Sequence, residues 1–188
     1  MLSEKMVTLG TKKSVIREIF EYSKKRAAEI GAENVFDFSI GNPNVPAPAS
    51  IHETIKELLD SRDDYYLFGY TSAQGDADTR AAIAANLNER FGTSFAAKNL
   101  IMTVGAASGL NVAFKTILNP EEEVIVFAPY FLEYGAYVRN FDGKLVEISP
   151  DTTTFQPNLE EFEQKITAKT KAVIVNTPNN PTGVVYSE

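Results

Sequence analysis

From residue 100 to residue 176 short apolar runs alternate with amphipathic stretches, and this alternation leaves few folds open to the chain. Segments 100–104, 124–128, 145–148 and 172–176 read as strands. The first and last of these read as buried, since the last is a compact Val/Ile run halted by Asn, Pro and Gly. Segments 105–118 and 131–140 read as helices. A further helix starts at Asn158, with Glu161 three positions on and Leu159, Phe162 and Ile166 as its apolar stripe. Strands separated by helices in this way predict βαβ units and an α/β fold with a mostly parallel sheet flanked by helices.

The preceding stretch is of a different kind. Residues 14–30 read as a helix with Val15, Ile16, Ile19, Phe20, Ala27 and Ile30 on one broad face, ended by Gly31. Residues 35–40 alternate apolar and polar, as a half-buried strand does. Gly41, Pro43, Pro46 and Pro48 make a loop of restricted backbone. Ser50 and Glu53 predict a capping box ahead of a helix whose buried stripe is Ile51, Ile55, Leu58 and Leu59. A helix over 76–91 follows the tyrosine-rich stretch 65–71. The expected boundary lies near residues 46–48, between an N-terminal arm (1–45) and the sheet domain (46–188).

Composition narrows the chemistry. A net charge of −7 argues against nucleic acid, which calls for a basic face. With no cysteine there are no disulfides, thiolate catalysis or cysteine metal sites. His52, the sole histidine, reads as a surface residue, and its isolation disfavours serine–histidine chemistry. No leader is visible at the N-terminus, and no run nears the ~20 apolar residues that span a membrane. A cytoplasmic setting is therefore expected.

Ligands of open α/β sheets bind at the carboxyl ends of the strands, so the candidate site residues are sought there. At Gly105-Ala106-Ala107-Ser108-Gly109 a strand runs into a helix through small residues. Such a junction either packs as a tight turn or lets the first helical amides hold an anion. Pro129-Tyr130-Phe131 places aromatics after the next strand, for core packing or for stacking on a planar ring. The tyrosines around Tyr70 suit an interface, a pocket wall or a surface loop, and Arg80 suits a structural pairing with a carboxylate or a helix end. Gly41 either turns the chain or brings backbone close to a substrate.

In their order these segments resemble class I/II aminotransferases, the fold type I enzymes related to aspartate aminotransferase. Ile40-Gly41-Asn42-Pro43 resembles the family's substrate-side glycine loop, and Tyr70 with Gly75 and Arg80 its Y…G…R segment. Gly105-Ala106-Ala107 resembles the phosphate turn, Pro129-Tyr130-Phe131 the ring-stacking segment, and Asn180-Pro181-Thr182-Gly183 the most specific loop. The resemblance runs from about Ser14 to Glu188. It implies pyridoxal 5'-phosphate as cofactor, an amino acid and a 2-oxo acid as substrates, and a homodimer. It further implies that Gly105 and the amides of Ala106 and Ala107 hold the phosphate, with Tyr70 reaching it from the neighbouring subunit. Phe131 would stack on the ring, with Tyr130 as the alternative one residue away. Asn180 would donate to the ring hydroxyl oxygen, and Gly41 with Asn180 would line the substrate's space.

The family's Schiff-base lysine lies beyond the matched segments and has no counterpart here. Lys24, Lys144 and Lys171 fall on a helix face, a turn and a strand entry. The expectation is that the chain as written does not transaminate, and that strands left without neighbours expose sheet edges. The alternatives are a non-catalytic cofactor-sensing module and a fold type I lyase. Only about a dozen residues precede the first helix, which disfavours a regulator.

Overall fold

The computed structural model describes residues 2–11, 15–39, 41 and 45–187, and these fall into two compact units, Met1–Gly69 and Tyr70–Glu188. The first unit carries α1 (Glu4–Thr11), α2 (Val15–Ile30), a 3-10 turn (Ala32–Asn34), α3 (Ala49–Ser61) and α4 (Asp64–Phe68). The second carries α5 (Ala77–Phe91), a 3-10 turn (Ala97–Asn99), α6 (Gly105–Ile117), β1 (Glu123–Phe127) and α7 (Glu133–Arg139). It continues through β2 (Lys144–Ile148), α8 (Leu159–Lys165) and β3 (Thr170–Ile174).

The sheet order is β2-β1-β3, and both pairings are parallel. Val124 stands opposite Leu145 on one side and Ala172 on the other. As the central strand of a parallel sheet, β1 is covered on both faces, and Val124, Ile125 and Val126 are buried. Its side chains alternate between two cores. On one face Val124 packs with Phe114 of α6 and Val138 of α7, supported by Leu110, Leu118 and Leu145. On the other, Ile125 and Phe127 pack with Ile148 and are supported by Phe162 of α8 and by Tyr186.

Local signals set several element ends. The Asp76 carboxylate caps α5 by accepting from the Thr79 amide at 2.8 Å, and Gly92 closes that helix in the left-handed region at φ 65°. The Asn158 side chain accepts from the Glu161 amide at 3.0 Å and starts α8, as expected.

Other expectations fail for want of a partner. Residues 100–104 form no strand. The Met102 amide bonds to the Gln74 carbonyl at 2.9 Å, and Ile101, Met102 and Val104 are exposed. Residues 35–39 form no strand either, and Phe36 and Phe38 are exposed. A strand needs a ladder beside it, and among the described residues neither segment has one. The last strand is an edge rather than a buried strand: it ends at Ile174, with Val173 and Val175 exposed.

The capping box at Ser50 is absent, because α3 begins at Ala49 behind Pro48. The stripe of α3 expected to be buried is exposed at Ile51, Ile55 and Leu59, and on the apolar face of α2 Val15 and Ile19 are exposed as well. Part of the tyrosine-rich stretch is helical, as α4, with Asp63 as its cap. Ser14, Ile40, Asn42, Pro43 and Glu188 lie outside the described residues.

Candidate functional site

The helix start at Gly105 is built to leave amides open. Gly105 sits at φ +75°, and nothing lies within 4 Å of where a Cβ would stand. Its amide donates to the Thr103 carbonyl at 2.9 Å, and Thr103 Oγ1 donates back to the Gly105 carbonyl at 3.1 Å. No side chain caps α6, whereas Asp76 caps α5 and Asn158 caps α8. The first N–H groups of a helix have no intrahelical acceptor, so at the exposed Ala106 and Ala107 they are available to an anion.

Topology orients this terminus. α6 packs on the β1 face through Leu110 and Phe114 and hands over to β1 through the short link 118–122. A helix of 13 residues runs roughly 20 Å, so its N terminus points toward the carboxyl end of β1. That end continues as Ala128-Pro129-Tyr130-Phe131, and the neighbouring strand β3 continues as the loop 175–183.

The two aromatics after β1 are differently committed. The Tyr130 hydroxyl donates to Glu147 Oε1 of β2, and its ring stacks on Tyr134 at 6.4 Å between centroids. Burial, followed by the carboxylate of Glu147, pushes the Tyr130 phenol up to about 12. Burial also raises the Tyr134 phenol. Phe131 meets Tyr134 edge-to-face at 5.6 Å and 83° and keeps 39% of its surface exposed. It precedes α7, which begins at Glu133 rather than at 131.

Sequence alone makes Asn179 and Asn180 look alike, but the structure separates them. Asn180 is exposed, and its backbone N–H donates to Asn176 Oδ1 at 2.8 Å. Asn179 is 6% exposed, with its carboxamide bonded to Pro129, Tyr186 and Thr182. A polar pair beside an Asn-Pro-Thr-Gly turn was the available signal, but only packing shows which member is buried.

The remaining candidates are placed as follows. Arg80 is 7% exposed and donates from Nη1 to the Ala97 carbonyl at 2.6 Å and from Nε to the Gly75 carbonyl at 3.2 Å. Its role is structural, as expected, although its partners are carbonyls and not a carboxylate. Tyr70 is fully exposed. Gly41 is exposed in the first unit, with open space around it. Among the described residues no three His, Asp or Glu side chains cluster to hold a metal, and no helix is long and apolar enough to cross a membrane.

Chemically, open helix-start amides, an exposed ring and an exposed carboxamide suit a planar ligand carrying a phosphate. This is an α/β protein whose candidate site lies at the carboxyl ends of adjacent parallel strands. The sequence profile of the aminotransferase class I and II family matches residues 33–188, and the chain belongs to that family. It is 38% identical over 155 residues to an aspartate aminotransferase of Sulfolobus acidocaldarius, covering 81% of this chain and 38% of that one. An aromatic-amino-acid aminotransferase of Thermococcus litoralis is 33% identical, over 93% of this chain and 43% of its own. A solved amino transferase from Eubacterium rectale superposes with a TM-score of 0.95 at 52% identity, over 100% of this chain and 48% of its own. The chain thus spans less than half the length of these relatives.

Proposed function

We propose that the protein serves pyridoxal phosphate-dependent transfer of an amino group between an amino acid and a 2-oxo acid, as a cytoplasmic homodimer. The observation carrying this reading is the uncapped start of α6, oriented toward the strand end from which Phe131 emerges. When bound, pyridoxal phosphate supplies the electron sink that loosens bonds at the substrate's α-carbon. The protein's own part is binding and orientation.

In this reading the Ala106 and Ala107 amides, freed by the turn at Gly105, hold the phosphate with the positive end of the helix dipole behind them. Phe131, rather than Tyr130, packs against the ring. This is favoured because the Tyr130 phenol is already committed to Glu147, whereas Phe131 is exposed. The exposed Asn180 carboxamide donates to the ring hydroxyl oxygen. Tyr70, fully exposed, reaches the phosphate of a second copy. The Sulfolobus relative's name makes aspartate the first amino donor to test.

Titration with pyridoxal phosphate, followed by visible absorbance and induced circular dichroism, tests the reading. Saturable binding with an induced band is expected. Asn180→Ala should weaken it roughly three- to tenfold, the worth of one hydrogen bond. The thermal midpoint should stay unchanged, because the Asn180 side chain is exposed. Absence of an induced band in the unsubstituted protein would overturn the reading.

A further inference from the structure

We propose that Asn179 is the positioning residue of this site: it acts through Asn180 by tethering the loop after β3 to the exit of β1. The proposal rests on the reading of the site given above.

A carboxamide has two N–H donors and two lone pairs on its oxygen, and Asn179 uses all four. Its Nδ2 donates to the Pro129 carbonyl at 3.2 Å and to the Tyr186 hydroxyl at 3.1 Å. Its Oδ1 accepts from the Thr182 amide at 3.2 Å and from Thr182 Oγ1 at 2.8 Å. The backbone closes the loop on the same residue: the Asn179 amide donates to the Val184 carbonyl at 2.8 Å, and its carbonyl accepts from the Gly183 amide at 2.7 Å. Buried amides satisfied this fully hold one geometry, because any shift leaves a desolvated group without a partner.

Both ends of the tether are firm. Pro129 directly precedes Tyr130 and Phe131, and Tyr130 is anchored to β2 through Glu147. The Tyr186 ring meets Phe127 at 6.2 Å and 74°, within the core of Ile125 and Ile148. Asn180 is the next residue, bonded through its own amide to Asn176. One buried carboxamide therefore bonds the residue before Asn180 directly to the backbone two residues before Phe131. Neither residue needs to touch the ligand through Asn179 for their spacing to depend on it.

Asn88, partly buried and with three side-chain hydrogen bonds, offers a comparison. Its Nδ2 donates to the Phe95 carbonyl at 2.8 Å, and its Oδ1 accepts from the Phe95 amide and Thr93 Oγ1, both at 2.8 Å. It performs the same chemistry on the turn after α5, and no part of the proposed site is assigned to it.

The test uses Asn179→Asp, which keeps the acceptor for Thr182 but sets an oxygen against the Pro129 carbonyl, alongside Asn88→Asp. Three quantities are read: hydrogen exchange over residues 180–186 without cofactor, pyridoxal phosphate affinity with its induced dichroism, and the thermal midpoint. Asn179→Asp should speed exchange over 180–186, weaken cofactor binding about tenfold or more and alter the induced band. Asn88→Asp should lower the thermal midpoint and leave affinity within about twofold, which a purely structural asparagine would do. Faster exchange in Asn179→Asp with unchanged affinity would overturn the positioning role. Failure of the unsubstituted protein to bind cofactor would instead overturn the reading of the site, and the role built on it. Should Asn179→Asp not fold, Tyr186→Phe removes one acceptor and keeps the ring on Phe127. It should weaken binding by about two- to threefold, and an unchanged affinity would overturn the proposal.

Discussion

A Cβ placed on Gly75 would stand 2.4 Å from Met102 Cγ and 2.6 Å from Met102 Cβ, so the turn ahead of α5 and the segment ahead of α6 meet where only glycine fits. The turn is held by the Gly75 amide on the Ser72 carbonyl at 2.8 Å and by Ser72 Oγ on the Gly75 carbonyl at 2.6 Å. Gly75 also lies at φ +96°. Gly75→Ala therefore combines backbone strain with overlap and should destabilise by about 2–4 kcal/mol. Gly105→Ala shares the positive φ but meets open space, so about 1–2 kcal/mol is expected. Denaturant midpoints of the two variants, measured side by side, check the ordering.

Arg80 links the Gly75 carbonyl to the Ala97 carbonyl from a buried position in α5. Arg80→Ala strips a charged donor from two carbonyls and should cost about 2–3 kcal/mol. Arg80→Lys, with a single ammonium in place of the fork, should recover part of that loss. Thermal unfolding of both variants gives the comparison, and equal losses would rule out a role for the remaining charge.

Tyr130 predicts an alkaline signature. The folded protein holds its proton up to about 12, through burial first and the Glu147 carboxylate second, whereas an unfolded tyrosine ionises near 10. Its contribution to stability is therefore complete below about pH 10 and is lost as pH rises through about 12. Tyrosinate absorbance should show a late-ionising phenol that Tyr130→Phe removes. An unchanged late phase in that variant would mean that another tyrosine supplies it.

The same variant distinguishes the two aromatics after β1. Phe131→Ala should weaken pyridoxal phosphate binding by roughly 0.5–1.5 kcal/mol or more, the worth of a ring stack. Tyr130→Phe, which keeps a ring but gives up the bond to Glu147, should weaken binding by less than Phe131→Ala does. Equilibrium titration of both variants decides, and the reverse order would shift the stacking role to Tyr130.

Several elements were legible because their signals are local. Asp76 and Gly92 bracket α5, Asn158 opens α8, and the small residues at 105–107 open α6 close to where the sequence places it. The parallel sheet followed from the strand–helix alternation read from residue 100 onwards, although its first expected strand is absent. Strand character at 35–39 and 100–104 did not follow, because an apolar pattern says nothing about a ladder partner. The apolar stripe of α3 is periodic as expected, yet it is exposed and not buried. Periodicity shows that a face is apolar, while burial depends on what packs against it.

What the sequence by itself determined was the kind of most local elements, the order of the motifs and, through that order, the family. Tertiary structure alone decided that β1 is central and β3 an edge, that Arg80 bonds carbonyls, and that Asn179 is buried while Asn180 is exposed. The reason is separation along the chain. Asn179 and Pro129 are 50 residues apart, and their hydrogen bond exists only once β1 and β3 lie side by side. Local propensity selects helices, strands and caps from neighbouring residues, but the burial of a polar group is set by remote residues that packing brings to it.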